Sequence, residues 1–566
     1  MYHIANQAIL KGKDPVPRLM NFRRELRGCD YQMVACGPEL ARVLNGIVVN
    51  RKSSLKPYRI VTLLGDVSSE CPPLHGIYNP TVDNALASVV ERVFLVKENG
   101  LWVPPLGDKI DPQVFKGGQM AKLATRLVNA TPAVQVLTRE QFVEGYVGPL
   151  KRRYEQANVV MQVRGIRRSD CLVRMFLKDE KQEVPRPGQP GKAPRAIRPM
   201  SPEFNLELGR YVKPLEKALY RGLDRVFGSG TVAKGMNSEE VAETIMGKWL
   251  RVQSLYGQPV SVSTDMSRFD QHVSVPALAF VRNICRRVLR RSGVPEYSVR
   301  YFTKLWGMTF KTENVVLLRD GKIRFQRAGT LCSGVMYTSL CGVVLTCLVL
   351  GSCAKELGIR GFSMISAGDD TNPIMPRDQV EKYVAGLPSY CAKFGFSVKV
   401  ESVEDQMVNR IEFCRSKPLY VDGKWIMCRN LHTCLERDLM TSKIDQGHKN
   451  WCKRLGAIAS CGIATHGGVP VFQSFYCMMM RAAGGLVGTL DERNSGFYRS
   501  SVGMARVVSD ISVGTRVRFY ESWGVSVSDQ LRLEDAFDRT ELTFGGPSVK
   551  DLFYDTLFRS LYRTHA

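Results

Sequence analysis

Four carboxylates in two short segments are the residues best placed to do chemistry. The stretch "PVSVSTD" alternates, with Val260, Val262 and Thr264 facing one way and Ser261, Ser263 and Asp265 the other. That is the pattern of a half-buried strand ending with a carboxylate on its polar face, and Asp270 follows in "DMSRFD". Far downstream, "GFSMISAGDDTNPIMP" reads as a strand, a tight turn carrying Asp369 and Asp370 after Gly368, and a second short strand limited by Pro373 and Pro376. Phosphoryl transfer with two metal ions needs carboxylates from separate rigid strands. They hold two divalent cations roughly 3.5–4 Å apart, one activating the attacking hydroxyl and one stabilising the leaving pyrophosphate. Hard oxygen donors of this kind suit Mg²⁺, with Mn²⁺ as the alternative. The plain reading is a Gly-Asp surface turn and a helix N-cap, and for either segment alone the plain reading wins.

The elements between and before these segments would have to position them. After Asp270 comes a helix, "VPALAFVRNICRRVLRRSG", with Arg282, Arg286 and Arg290 on one basic face. Next, "RAGTLCSGVMYTSLCGVVLTCLVLG" is a glycine-bearing loop feeding a long apolar helix. Its run "CGVVLTCLVLG" is shorter than the ~20 residues of a membrane span and reads as a buried helix. Upstream, "EVPRPGQPGKAPRAIRP" is rich in proline, glycine and cations, and suits an extended basic loop, either a linker or a loop inside a domain.

Composition narrows the partners. The 566 residues hold 79 Lys+Arg against 54 Asp+Glu, a net charge of +25, which favours a polyanion such as RNA, DNA or an anionic membrane. Sixteen scattered cysteines without a CxxC pair point to buried free thiols in a reducing compartment. "CRNLHTC" (Cys428, His432, Cys434) lacks an obvious fourth ligand and reads as structural thiols with a surface histidine before it reads as zinc. No signal peptide and no spanning segment is expected, so the chain would be soluble or reach a membrane through its surface or a partner.

Order is what raises these weak signals. "DMSRFD" (Asp265, Asp270), "SGVMYT" (Ser333, Gly334, Thr338) and "GDD" (Gly368, Asp369, Asp370) follow one another as motifs A, B and C of a template-directed polymerase palm. "FLKDEK…KAPRAIRP" resembles motif F, "FGFSVKVE" motif D and "IEFCRSKPLY" motif E. The set resembles the RNA-dependent RNA polymerases of plus-strand RNA viruses, closest to the tombusvirus and carmovirus group, over roughly residues 84 to 475.

The resemblance implies an α+β right-hand fold with a small antiparallel palm sheet and helix-rich fingers and thumb. It divides the chain into an N-terminal region (1–83), fingers (84–250), palm (251–415) and thumb with the C-terminal region (416–566). It implies metal binding by Asp265 and Asp369, assisted by Asp370, with Asp270 near the incoming ribose and Ser333, Gly334 and Thr338 in the loop that positions template and nucleotide. Arg195 would grip the triphosphate, supported by Lys178, Lys181, Lys192 and Arg198, because a guanidinium fork matches phosphate oxygens. Lys399 would protonate the leaving pyrophosphate, with Lys393 its rival. The implied partners are a single-stranded viral RNA template, ribonucleoside triphosphates and a viral membrane-anchoring replication protein. The implied location is membrane-bound replication complexes of the host cytoplasm.

One position departs from the family pattern. Motif B of the family reads SGxxxTxxxN, and its asparagine works with Asp270's counterpart on the ribose 2′-OH; here that place is Gly342. A weaker preference for ribonucleotides is therefore expected, as Thr346 lies a helical turn too far to substitute. Two other readings stand beside the polymerase. One is an inactive palm kept as an RNA-binding scaffold; the other is a reverse transcriptase, disfavoured because "AGDD" lacks the bulky aromatic of YxDD.

Overall fold

The computed structural model describes residues 37–53, 62–63, 75–183, 191–441, 447–488, 501–542 and 544, a mixture of helix and sheet around one large buried apolar cluster. A second cluster is assembled from residues 419–542. Within the first lies a four-stranded antiparallel sheet made of β1 (Pro259–Met266), β2 (Ser363–Ser366), β3 (Thr371–Pro376) and β4 (Val398–Glu404), in the order β2-β3-β1-β4. Because β1 has a neighbour on each side, it is more buried than its alternation predicts. Ser261 is enclosed along with Val260, Val262 and Thr264, and Ser263 and Asp265 alone in the strand keep partial exposure. Strand β3 also departs from expectation, since it runs through Pro373 instead of stopping there. Its ladder to β1 joins Thr371 to Thr264 and resumes at Ile374 with Ser261, passing over the proline that has no N–H to donate.

Helices Ser238–Tyr256 and Arg377–Lys393 pack on this sheet, and three further helices build the core around it, with ends written in the sequence. Helix α1 (Pro202–Phe227) starts at Ser201, whose Oγ accepts from the Phe204 amide at 3.1 Å. Helix α2 (Val275–Arg291) starts the same way at Ser274 with a proline in its first turn. The basic face of α2 is engaged locally: Arg290 pairs with Glu296 at 2.6 Å, and Arg282 lies over the Phe310 ring at 4.6 Å. Helix α3 (Thr338–Glu356) is apolar all round. It is long and apolar enough to cross a membrane, yet 83% of its apolar stretch is buried inside the fold, as befits a core helix.

A second sheet corrects the picture of one small antiparallel sheet among helices. Five strands run in the order Val48–Arg51, Gly321–Ala328, Lys311–Leu318, Val173–Leu177, Ala196–Ile197, and the pair Lys311–Leu318 with Val173–Leu177 is parallel. Its hairpin turns at Arg319–Asp320, and the Asp-Gly pair in "LLRDGKI" is a turn signal that sequence reading missed. The pairing of Phe176 with Ile197 folds the basic proline-rich stretch back onto its own domain, so it is no linker; its residues 184–190 lie outside the described ones.

The C-terminal cluster holds a buried polar network. Arg429 grips Asp438 bidentately at 2.8 and 3.0 Å, Tyr476 Oη donates to the same carboxylate at 2.8 Å, and His466 Nε2 accepts from the Arg429 amide at 3.3 Å. Burial would raise Asp438, but Arg429 outweighs it and holds the carboxyl low. Burial, with Arg429 adding to it, pushes the His466 imidazole down to about 3. A buried neutral histidine stabilises the fold fully above its unfolded pKa of roughly 6.5, and that contribution drains away as pH falls toward the folded value. Thermal melts are therefore expected to lose stability between pH 6.5 and 3, by on the order of 2–3 kcal/mol at pH 4.5 from this group. A His466→Gln variant should show a flatter acid limb, and an unchanged limb would contradict the assignment.

Candidate active site

The Ala367–Asp370 turn closes with the Ala367 amide donating to the Asp370 carbonyl at 2.9 Å, and Gly368 sits at φ +116°, a conformation other residues rarely adopt. Two buried hydroxyls brace it from beneath. Thr371 Oγ1 reaches Ser366 Oγ at 3.0 Å and the Gly368 carbonyl at 3.2 Å, while the Gly368 amide donates to Ser366 Oγ at 3.3 Å. Asp369 and Asp370 are thereby presented to solvent from a rigid support. Sequence reading missed this brace, although a Ser and a Thr flanking a turn are its usual signal. It also missed Asn372, whose side chain donates to the Glu412 carbonyl at 2.9 Å and ties down the segment that carries Cys414 beside Asp370.

Register brings the other acid alongside. Thr264 of β1 pairs with Thr371 of β3, so the next residues along the two chains are Asp265 and Asp370. Partial burial and then the charge of Asp369 raise the pKa of Asp265, against the pull of Lys399 and Lys192. Asp370, exposed by area yet crowded, is raised by desolvation and then by Asp369, with Asp265 adding to it. Asp265, Asp369 and Asp370 thus form one electrostatically coupled group. Among the described residues no group of three or more His, Cys, Asp or Glu is placed to hold a metal ion by itself, the three aspartates included. An open pair of carboxylates is what Mg²⁺ chemistry calls for, since that ion keeps waters and takes substrate phosphates as its remaining ligands.

Asp270 and Ser333 come together as expected: Ser333 Oγ donates to Asp270 Oδ2 at 3.0 Å. Burial pushes Asp270 up to about 6 against that hydrogen bond. The loop is set by Gly334, at φ +110° and packed on Pro199, and the Gly334 carbonyl accepts from Asn205 Nδ2 at 3.2 Å. Thr338 turns inward, its hydroxyl donating to the Cys332 and Val335 carbonyls at 2.6 and 2.8 Å, so it shapes the loop without facing the carboxylates.

The cations divide. Arg195 and Lys192 are exposed; the charge of Arg195 reaches Asp270 and that of Lys192 reaches Asp265. Lys178 lies beside Arg195, its amide donating to the Arg195 carbonyl at 2.9 Å. Arg198 corrects the expectation of a phosphate contact: it is 5% exposed, its fork engaged by Asn314 at 3.2 Å and Thr330 at 2.6 Å, and its amide bonds the Ser333 carbonyl at 2.7 Å. Lys181 does too, since its ammonium donates to the Arg437 carbonyl and burial lowers it to about 8. Lys399 stands directly opposite Asp265 in the β1–β4 register, whereas Lys393 lies over the Tyr390 ring at 5.5 Å.

Gly342 lies within α3, facing the turn. A Cβ there would meet Phe269 Cε1 at 3.8 Å and Gly368 Cα at 3.9 Å, ordinary contacts. Thr346 instead donates to Met266 Sδ at 3.8 Å.

Comparison with known proteins gives the family. The chain matches, over residues 56–545, the family described as viral RNA dependent RNA polymerase, and it belongs to that family. It is 32% identical over 490 residues to the RNA-directed RNA polymerase of Groundnut rosette virus (strain MC1), covering 85% of this chain and 54% of that protein. The namesake proteins of Turnip crinkle virus (30% over 473 residues, 82% and 58%) and Carnation mottle virus (31% over 464 residues, 81% and 58%) are similarly related. The motif resemblance to the tombusvirus and carmovirus group is borne out and extends further in both directions than the sequence motifs showed. The chain spans a little over half the length of these relatives.

Because the Gly342 site has room for a methyl group and lies inside a helix, Gly342→Ala is expected to stabilise the protein by about 1 kcal/mol in denaturant unfolding. Destabilisation would mean that the wall facing the turn is tighter than its contacts indicate.

Proposed function

We propose that the chain is an RNA-directed RNA polymerase that copies single-stranded viral RNA from ribonucleoside triphosphates with Mg²⁺, or Mn²⁺ in its place. The observation that carries this is the coupled carboxylate group on β1 and the β2–β3 turn, lying under the charges of Arg195 and Lys192. In this reading the acid-bearing sheet belongs to a palm spanning 251–415, and 416–566 form the thumb and C-terminal region. The five-stranded sheet joins two strands of the fingers span 84–250 to Val48–Arg51 and to the Lys311–Leu318 and Gly321–Ala328 hairpin, a fingers segment interleaved in 251–415. Residues 1–83 keep no assigned role.

Members of this family use divalent metal ions. Asp265 and Asp369, with Asp370, would hold them, and the coupling that raises Asp265 and Asp370 supports the fit, because a cation relieves like-charge crowding. Bound there, the ions supply a lowered pKa for the attacking 3′-hydroxyl and charge neutralisation at the phosphates. The chain's own groups do the rest. Arg195, Lys178 and Lys192 draw the triphosphate into line over the carboxylates, and positioning of this kind is a large part of phosphoryl transfer. Lys399, across from Asp265, is placed to give a proton to the departing pyrophosphate. Asp270, steadied by Ser333, receives the ribose, and Arg198 holds the Ser333 loop in place. Membrane attachment would come through a separate viral replication protein, in replication complexes of the host cytoplasm.

With purified protein, an RNA template and four ribonucleotides, Asp369→Ala is expected to lower synthesis by roughly a thousandfold or more while RNA affinity stays within about twofold. No product from either protein, with RNA binding intact, would favour the scaffold reading, which Gly342 alone recommends. With no side chain at 342 to assist Asp270, discrimination between ribo- and deoxynucleotides should be weaker than in relatives carrying asparagine. Single-nucleotide incorporation measures this, and relative-like selectivity would contradict it.

A further inference from the structure

The cationic loop already contains an anion. Glu180 has a side chain only 16% exposed; its Oε2 lies 2.8 Å from Lys178 Nζ and 3.6 Å from Arg195 Nη1, and its Oε1 accepts from Gln182 Nε2 at 3.2 Å. Its charge is also felt by Arg92 and Arg437. The geometry follows from the sheet. The ladder joining Phe176–Leu177 to Ala196–Ile197 continues through the Lys178 amide to the Arg195 carbonyl, so the two cations emerge side by side with Glu180 beneath them. The far wall is fixed as well, since Arg92 donates to the Ala193 carbonyl at 3.2 Å and Tyr78 to the Lys192 carbonyl at 2.8 Å. Arg195 remains more than half exposed at its side chain, on the solvent side of the pair.

We propose that Glu180 is a positioning residue that competes with phosphate: it holds Lys178 and Arg195 together before nucleotide arrives and yields them to the triphosphate. The proposal rests on reading Lys178 and Arg195 as triphosphate contacts. Cations left unpaired would repel each other, lose their spacing and bind pyrophosphate too well to release it. A carboxylate shared between them prevents both, because a triphosphate carries several charges and displaces it, while the departing pyrophosphate meets it as a returning competitor.

The test uses Glu180→Gln, which keeps the shape and the acceptor for Gln182 and removes the charge. In steady-state incorporation by the full chain, KM for nucleotide and the inhibition constant for pyrophosphate are both expected to fall roughly three- to fivefold, and kcat to fall with them as product leaves more slowly. A merely structural role would raise KM or leave it unmoved. Arg195→Ala is expected to raise KM, and in the double variant the tightening should vanish. If Arg195→Ala raises KM but Glu180→Gln fails to lower it, the proposal is overturned and the polymerase reading stands. If Arg195→Ala leaves KM unchanged, the triphosphate assignment of the loop fails and takes the proposal with it.

Discussion

Mutual repulsion among Asp265, Asp369 and Asp370 is the constraint on which the rest of the structure depends. Burial and then Asp369 raise the pKa of both Asp265 and Asp370, and carboxylates that repel in this way would drift apart on flexible loops. Here they are held by a central strand on one side and a braced turn on the other, joined through the Thr264–Thr371 pair, with Thr264 Oγ1 also donating to the Thr371 carbonyl at 2.8 Å. Backbone register and buried hydroxyls oppose the repulsion, which leaves the charge for a cation to neutralise.

The same logic extends outward. Asp270 is kept close by Ser333, Ser333 by the backbone of Arg198, and Arg198 by Asn314 and Thr330. A charged fork buried with Asn314 and Thr330 as acceptors, its charge also reaching Asp270, is an expensive way to hold a loop, and its engaged donors favour this one geometry. The five-stranded sheet thus controls the glycine-bearing loop, and α3, packed on all sides, carries that loop's end toward the acidic turn. A site for positioning charge needs few reactive groups but many that hold them still.

What was legible in the sequence was the chemistry whose residues also mark the backbone. Gly368 and the two aspartates announce a turn that presents acid to solvent, and alternation in "PVSVSTD" places Asp265 on a strand. Burial was not legible. Arg195 and Arg198 look equivalent in a basic stretch, yet in an extended chain residues three apart face opposite ways, so one reaches solvent while the other is buried against Asn314 and Thr330. Lys181 was misplaced for a related reason: its partner, the Arg437 carbonyl, comes from a distant segment that no local pattern connects to it. Pro373 misled because its missing N–H was taken to end a strand, when the ladder needed only to skip it.

The central claim is that β1 and the β2–β3 turn hold divalent metal together. The most direct measurement replaces Mg²⁺ with Fe²⁺ in the presence of ascorbate and peroxide and maps where hydroxyl radicals cut the chain. Cuts in two separate places, beside Asp265 and beside Asp369, both lost on adding excess Mg²⁺, are the expected result. Cutting at one of them alone, or at neither, would contradict a shared metal site.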